Sequence, residues 1–439
     1  MQVELPIDKL MRALRRDKLV RIFEDFERAH PEAHLKDLVI DEMGPGREIT
    51  VGGRRVINFG SDSFLGLDRD PRVIEAIRRG LERWGSHNGA SRAFASVSSN
   101  IEAEEKLAEW LGVESTLIYP SVTLANQGAI PALVGRKDVV VTDELAHNSI
   151  HEGARLAQAG GTRIATFAHN RPLALETTLQ KLKPYRLALI CIDGVYSMSG
   201  ELPPMAAYDE IARARDGVLY IDDAHGTGVL GTHGRGTVLD ALGGYDNTFV
   251  VGSLSKAFSC AGGFIGCTKP FQKLLKMRSN TYIFGGPVVP AYLDAICAVV
   301  DILQSDEYQV LRARLEGFVA QLTKGLDQLD LIASGGATPI ISVLVGDEAD
   351  TLRAGKFLFD QGFYVQSVLF PAVPYHGGVI RVQCNANHTE EAVDDLVDAF
   401  RALKSAIKMP TRSTQSLLKT MVNKFLDDRA SSWLEGRAG

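Results

Sequence analysis

Between residues 56 and 290, short apolar runs alternate with longer stretches of helical spacing. The runs are Val139 to Thr142, Leu187 to Asp193, Val218 to Asp222, Phe249 to Gly252 and Gly263 to Gly266. Helical patterns lie between them, such as Glu102 to Leu111 and Leu173 to Leu182. A strand that is apolar on both faces must be covered on both faces, and the intervening helices supply that cover. The pattern therefore predicts an α/β fold around a mostly parallel sheet.

The chain has 439 residues, more than one small core needs, so two or three packed units are expected. An N-terminal segment, 1–57, holds a helix over 7–29 and a Gly-rich hairpin over 41–57. In the helix Met11, Leu14, Leu19, Ile22, Phe23 and Phe26 recur at helical spacing, with Arg12, Arg15, Arg16 and Lys18 between them. Packing on its own protein or on a second subunit is expected ahead of a membrane surface. The large domain spans 58–289. A smaller α+β domain, 290–408, contains a long helical stretch from Pro290 into the 320s, then a strand at Ile340 to Val345. The helix Ala349 to Gln361, strands at Tyr364 to Gln366 and Val379 to Gln383, and a helix Glu390 to Lys404 follow. The tail, 409–439, carries a narrow apolar stripe of Leu417, Leu418, Met421, Val422, Phe425 and Leu426.

Forty-eight basic against 54 acidic residues give a net charge of −6, which argues against a nucleic-acid partner. The five cysteines, Cys191, Cys260, Cys267, Cys297 and Cys384, form no C-x-x-C pair. Neither a metal site nor a disulfide framework is expected, and a reduced compartment fits. The N-terminus lacks a signal-peptide pattern and no apolar run is long enough to span a bilayer. A cytoplasmic enzyme is expected, and nothing indicates membrane association.

Two motifs carry chemistry. Gly252-Ser253-Leu254-Ser255-Lys256 directly follows the strand Phe249 to Val251. Small residues and hydroxyls at a strand end let a phosphate approach the backbone. An amine placed there forms a Schiff base with an aldehyde cofactor once burial or cations lower its pKa. The second motif, Tyr220 to Gly228, puts Asp222 at a strand's carboxyl end, where α/β sites lie, with His225 three residues on. A buried carboxylate there keeps a pyridine nitrogen protonated. Taken singly, Lys256 reads as a solvated loop lysine, Asp222 as a turn cap and His225 as a core histidine.

Together, in this order and spacing, the two motifs resemble the fold-type-I pyridoxal-phosphate enzymes and specifically the α-oxoamine synthases. That family includes serine palmitoyltransferase, aminooxononanoate synthase, aminoketobutyrate ligase and aminolevulinate synthase. The resemblance runs from about Val56 to His388. It covers Asn58 to Leu67, Leu107 to Gly112, Asp143 to Ser149, Ala168 to Asn170, Asp193 to Gly200, the Asp222 and Lys256 blocks, and Arg381 to His388.

The resemblance implies an aspartate-aminotransferase-like fold, with a three-layer large domain and a smaller α+β C-terminal domain. It implies pyridoxal 5'-phosphate as cofactor, with Lys256 as Schiff-base lysine and proton-transfer group. It makes Asp222 the partner of the pyridine nitrogen, His225 the partner of the phenolic oxygen, and His147 the histidine stacked on the ring. Ser197 also touches the cofactor's oxygen, and Ser253 binds its phosphate. Ser121, Val122 and Thr123 stand in the phosphate loop, and Arg381 grips the substrate carboxylate.

The implied reaction joins a small amino acid, Gly, Ala or Ser, to an acyl thioester on coenzyme A or an acyl carrier protein. Loss of CO2 then leaves an α-amino ketone, as in sphingolipid or biotin-type biosynthesis. The implied assembly is a homodimer with shared active sites. The alternatives are an aminotransferase on the same fold and a non-catalytic partner subunit of a heteromeric synthase. His147 and His225 speak against the first, and Lys256 against the second.

Four positions depart from the family pattern. Ser121-Val122-Thr123 replaces a Ser/Thr-Gly-aromatic loop, and Val122 enters positive φ only at a cost, so a reshaped loop is expected. Asp62 replaces an asparagine near the substrate carboxylate and would repel it. Asn100 stands for a histidine. Gly285-Gly286 stand for a hydroxyl pair that reaches the neighbouring subunit's phosphate.

Overall fold

In a computed structural model, residues 5–29, 31 and 38–414 are described, so the stripe at Leu417 to Leu426 lies outside the described residues. The Gly-rich stretch forms a hairpin in which β2 (Glu48–Val51) pairs antiparallel with both β1 (Glu42–Met43) and β3 (Arg54–Asn58). The expected helix over 7–29 is instead two helices, Pro6–Leu14 and Lys18–Ala29. They are separated where Asp17 Oδ1 accepts the Val20 amide at 3.3 Å and starts a new helix, as a short acidic cap does.

The central sheet has seven strands: β4 (Ser115–Tyr119), β5 (Val139–Asp143), β6 (Arg163–Phe167), β7 (Ala188–Asp193), β8 (Gly217–Asp222), β9 (Thr248–Ser253) and β10 (Gly263–Cys267). Their order is β4-β10-β9-β8-β7-β5-β6. All neighbours run parallel except at β10, which is antiparallel to both β4 and β9. Every residue of β5, β7 and β9 is buried, which is why those strands are apolar throughout. At one edge, four of the parallel strands end in Asp143, Asp193, Asp222 and Ser253.

The C-terminal region contributes β11 (Ala333–Gly335), β12 (Ile340–Gly346), β13 (Phe363–Tyr364), β14 (Gln366–Val368) and β15 (Gly378–Gln383). Four of these form an antiparallel sheet, β11-β12-β15-β14. The remaining one, β13, pairs parallel with β3. The strand expected at Tyr364 to Gln366 therefore divides at Val365 between two sheets. This crossing ties the hairpin to β15 and brings the turn after β3, with Asp62, against Arg381 and Gln383. The stretch from Pro290 is likewise two helices, Pro290–Gln304 and Asp306–Gln328, broken at Ser305, whose backbone is extended. The first of them lies so close on helix Pro71–Trp84 that a Cβ at Gly80 would sit 2.6 Å from the Ala291 Cα.

A buried ion pair braces β4, the strand that leads into Ser121. Arg92 Nη1 lies 2.5 Å from Glu104 Oε1, both side chains 3% exposed, and Glu104 Oε1 also accepts the Ile118 amide at 2.9 Å. Removing one member leaves the other charge buried without its partner. Glu104→Ala is therefore expected to lower unfolding free energy by about 3–5 kcal/mol in denaturant titration. Removing both members together with Arg92→Met/Glu104→Leu costs less.

Candidate active site

The carboxyl edge of the central sheet collects the residues singled out in the sequence. Asp222, buried at the end of β8, is held on both oxygens. Its Oδ2 accepts from Asn126 Nδ2 at 2.6 Å and its Oδ1 from the Ala224 amide at 3.1 Å. The Asn126 amide is itself oriented, because Tyr220 donates its hydroxyl to Asn126 Oδ1 at 3.0 Å. Asn126 Nδ2 also donates to Ser149 Oγ at 2.8 Å. Ser149 then has its own proton left for His147 Nδ1, 2.7 Å away. One asparagine thus links the carboxylate at the sheet edge to the imidazole of His147.

His147 opens the helix Asn148–Ala159 and is exposed, and its backbone amide donates to both oxygens of Asp193 at 3.0 and 3.2 Å. Asp193 ends β7 directly opposite Asp222 in the strand register. Burial, then the neighbouring Asp222 charge, pushes the Asp193 carboxyl well above the usual range. Two adjacent buried carboxyls do not both ionise freely.

Lys256 follows β9. Its Nζ lies 2.9 Å from His225 Nε2 and 3.1 Å from Nδ1. Burial holds the amine below the usual lysine value, with Asp62 and Asp222 opposing the shift. Burial also holds the His225 imidazole well below its usual value, helped by Lys256, Arg381 and His147. His225 is therefore neutral at neutral pH, and the lysine gives up its proton more readily than a surface lysine does.

Hydroxyls and a helix start lie by the end of β9, since Gly263, the strand partner of Ser253, abuts Val122. Ser253 Oγ is 3.2 Å from Ser255 Oγ and accepts the Ser255 amide at 3.2 Å. Ser121 caps the helix Val122–Leu133, its Oγ accepting from the Leu124 amide at 3.1 Å. Val122 and Thr123 occupy the first two helical positions. Val122 takes helical rather than positive φ, and the turn presents first-turn amides that have no partner within the helix. The close approach of this turn to β10 requires glycine at 263, where a Cβ would lie 2.6 Å from the Val122 nitrogen.

Arg381, on β15 and 3% exposed, uses three N–H groups on three acceptors. Nε donates to the Ser197 carbonyl at 2.7 Å, Nη1 to Gln366 Oε1 at 2.7 Å and Nη2 to Asp62 Oδ1 at 3.2 Å. Gln383 Nε2 donates to the same Asp62 oxygen, and His225 Nε2 lies 3.9 Å from it. Two other departures lie apart from these contacts. Asn100 is buried in helix Ser98–Leu111, and Gly286, at φ +76°, follows the short helix Asn280–Phe284.

Sequence reasoning missed Asn126, Ser149, Asp193, Gln366 and Gln383 as members of this site. Ser149, Asp193 and Gln383 lie inside blocks that carry the family resemblance. Asn126 and Gln366 stand outside them. Gly263→Ala drives a methyl into backbone, and about 1–3 kcal/mol of stability is expected to be lost in denaturant titration. The same variant should bind inorganic phosphate more weakly than wild type by calorimetry.

Comparison with known proteins places the chain in a family. The aminotransferase class I and II family profile matches residues 54–400. An 8-amino-7-oxononanoate synthase from Coprothermobacter proteolyticus is 36% identical over 390 residues, covering 87% of this chain and 97% of the relative. The serine palmitoyltransferase of Sphingomonas wittichii superposes with a TM-score of 0.83 at 27% identity, over 90% of this chain and 98% of that one. That of S. paucimobilis, solved with a bound PLP-myriocin aldimine, gives 0.82 at 26%, over 89% and 99%. The chain belongs to the aminotransferase class I and II family and, within it, to the α-oxoamine synthases.

Proposed function

We propose that this chain holds pyridoxal 5'-phosphate on Lys256 and condenses a small amino acid with an acyl thioester. The products are CO2, the free thiol and an α-amino ketone. The observation that carries the reading is the contact of the Lys256 amine with the buried His225 imidazole at 2.9 Å, on the sheet edge that also holds Asp222.

The residues fit the cofactor's chemical parts. An amine of lowered proton affinity suits an aldehyde. A fixed, buried carboxylate suits a basic ring nitrogen, and a capped helix start beside Ser253 and Ser255 suits a phosphate dianion. When bound, the cofactor supplies an electron-withdrawing ring that accepts the pair left at the substrate's α-carbon.

The protein's own groups do the rest. Asp222, fixed by Asn126 and Ala224, holds a proton on the pyridine nitrogen. His225, with Ser197, would hold the phenolic oxygen, and His147, fixed by Asp193 and Ser149, would hold the ring. Ser121, Val122, Thr123 and Ser253 bind the phosphate. Arg381 orients the substrate carboxylate. Lys256 Nζ takes the α-proton, a carbon–carbon bond forms at the thioester carbonyl as the thiolate leaves, and CO2 departs. A proton returned to the α-carbon completes the exchange.

The amino acid is Gly, Ala or Ser, and the thioester is carried by coenzyme A or an acyl carrier protein. The expected assembly is a homodimer. Phe94 and Phe284, 90% and 81% exposed, support it, since the Ser91 hydroxyl joins their segments by donating to the Ile283 carbonyl at 2.5 Å. Large exposed aromatics on adjoining segments suit a subunit interface. A cytoplasmic location accords with five free cysteines. Among the described residues, no helix is long and apolar enough to cross a membrane.

The test is product chemistry. Cofactor-loaded protein is incubated with carboxyl-labelled Gly, Ala or Ser and acyl thioesters of varied length. Labelled CO2 released only when both substrates are present, with an amino ketone of matching mass, is the expected result. A keto acid formed from the amino acid without CO2 would instead establish an aminotransferase.

A further inference from the structure

Asp62 is the charged group least explained by the chemistry above. Its side chain is 34% exposed while Arg381 beside it is 3% exposed, so the carboxylate forms the open wall of a buried guanidinium. Its Oδ1 accepts from Arg381 Nη2 at 3.2 Å and from Gln383, and stands 3.9 Å from His225 Nε2. Arg381 has five N–H groups, and the Ser197 carbonyl, Gln366 and Asp62 take three of them. A substrate carboxylate must use the remaining two or displace Asp62. In the first case two carboxylates share one guanidinium, and in the second Asp62 gives up its Arg381 partner.

We propose that Asp62 is a specificity-determining residue that competes with the substrate's carboxylate for Arg381, so that the amino-acid subsite binds its substrate weakly and discriminates little between a carboxylate and a neutral carboxamide. The inference rests on the reading that Arg381 receives the amino acid's carboxylate. The charged and titratable groups facing Asp62 are Arg381 on β15, His225 after β8 and Lys256 after β9. His225 is neutral, and the burial of Lys256 works against its charge. Arg381 is therefore the main cation for both carboxylates. Like charges a few ångströms apart at a partly buried site repel strongly enough to change affinity by about tenfold or more. A neutral amide in the same place escapes that repulsion. Specificity here is a difference between two affinities, and Asp62 acts on only one of them.

The test uses cofactor-loaded protein and calorimetric dissociation constants for glycine, L-alanine and L-serine and for their carboxamides. In Asp62→Asn and Asp62→Ser the amino acids are expected to bind about tenfold tighter, with the carboxamides changed by less than about threefold. KM for the amino acid should fall with kcat moving much less. A drop in amino-acid affinity, or equal shifts for acid and amide, overturns the proposal, since a purely structural role would move both. Arg381→Gln separates the two layers of the argument. If it leaves amino-acid affinity unchanged, Arg381 is not the carboxylate site and the inference falls with that assignment. If it weakens amino-acid binding while the Asp62 variants behave like wild type, only the role of Asp62 falls.

Discussion

Desolvation of the Lys256 ammonium is the constraint around which the sheet edge is arranged. A lysine in water stays charged at neutral pH and is a poor nucleophile. Here burial disfavours the charge, and the partner at 2.9 Å is a histidine that burial has also made neutral. The neighbouring carboxylates could restore the charge, and each is engaged elsewhere. Asp222 accepts from Asn126 and Ala224, Asp193 from His147, and Asp62 from Arg381 and Gln383.

The parallel sheet makes this arrangement possible. Four buried strands finish at one edge, and each contributes its last residue: Asp143, Asp193, Asp222 or Ser253. Hydrogen bonds then convert placement into fixed geometry. Tyr220 orients Asn126, which holds Asp222 and reaches through Ser149 to His147. Buried polar networks of this kind are stable only when every member is satisfied. The other half of the site comes from far away in sequence. Residue 62 meets residues 381 and 383 because the chain crosses at Val365 from β13, paired with β3, to β14, paired with β15.

Much of this was legible in the residues themselves. The apolar runs at β5, β7, β8, β9 and β10 announced a buried sheet, and Asp222, His225 and Lys256 stood out at the strand ends. What escaped has physical causes. Strand β6 lies at the sheet edge and is largely uncovered, so its residues Arg163 to Phe167 form no buried apolar run. In β4 the run is broken by Ser115 and Thr116, which are buried all the same. The breaks at Asp17 and Ser305 depend on single polar residues inside otherwise periodic stretches. Asn126 and Gln366 gain their roles only from tertiary contacts, with a tyrosine 94 residues on and an arginine 15 residues on. No local pattern marks them.

The proposed chemistry requires a covalent bond between one side chain and the cofactor's aldehyde, and borohydride reduction measures that bond directly. Protein loaded with pyridoxal phosphate is reduced, digested and mapped by mass spectrometry. A single pyridoxyl group on the peptide containing Lys256, absent from Lys256→Ala, is the predicted result. Label on another lysine, or none on a folded and fully loaded preparation, would contradict the central claim.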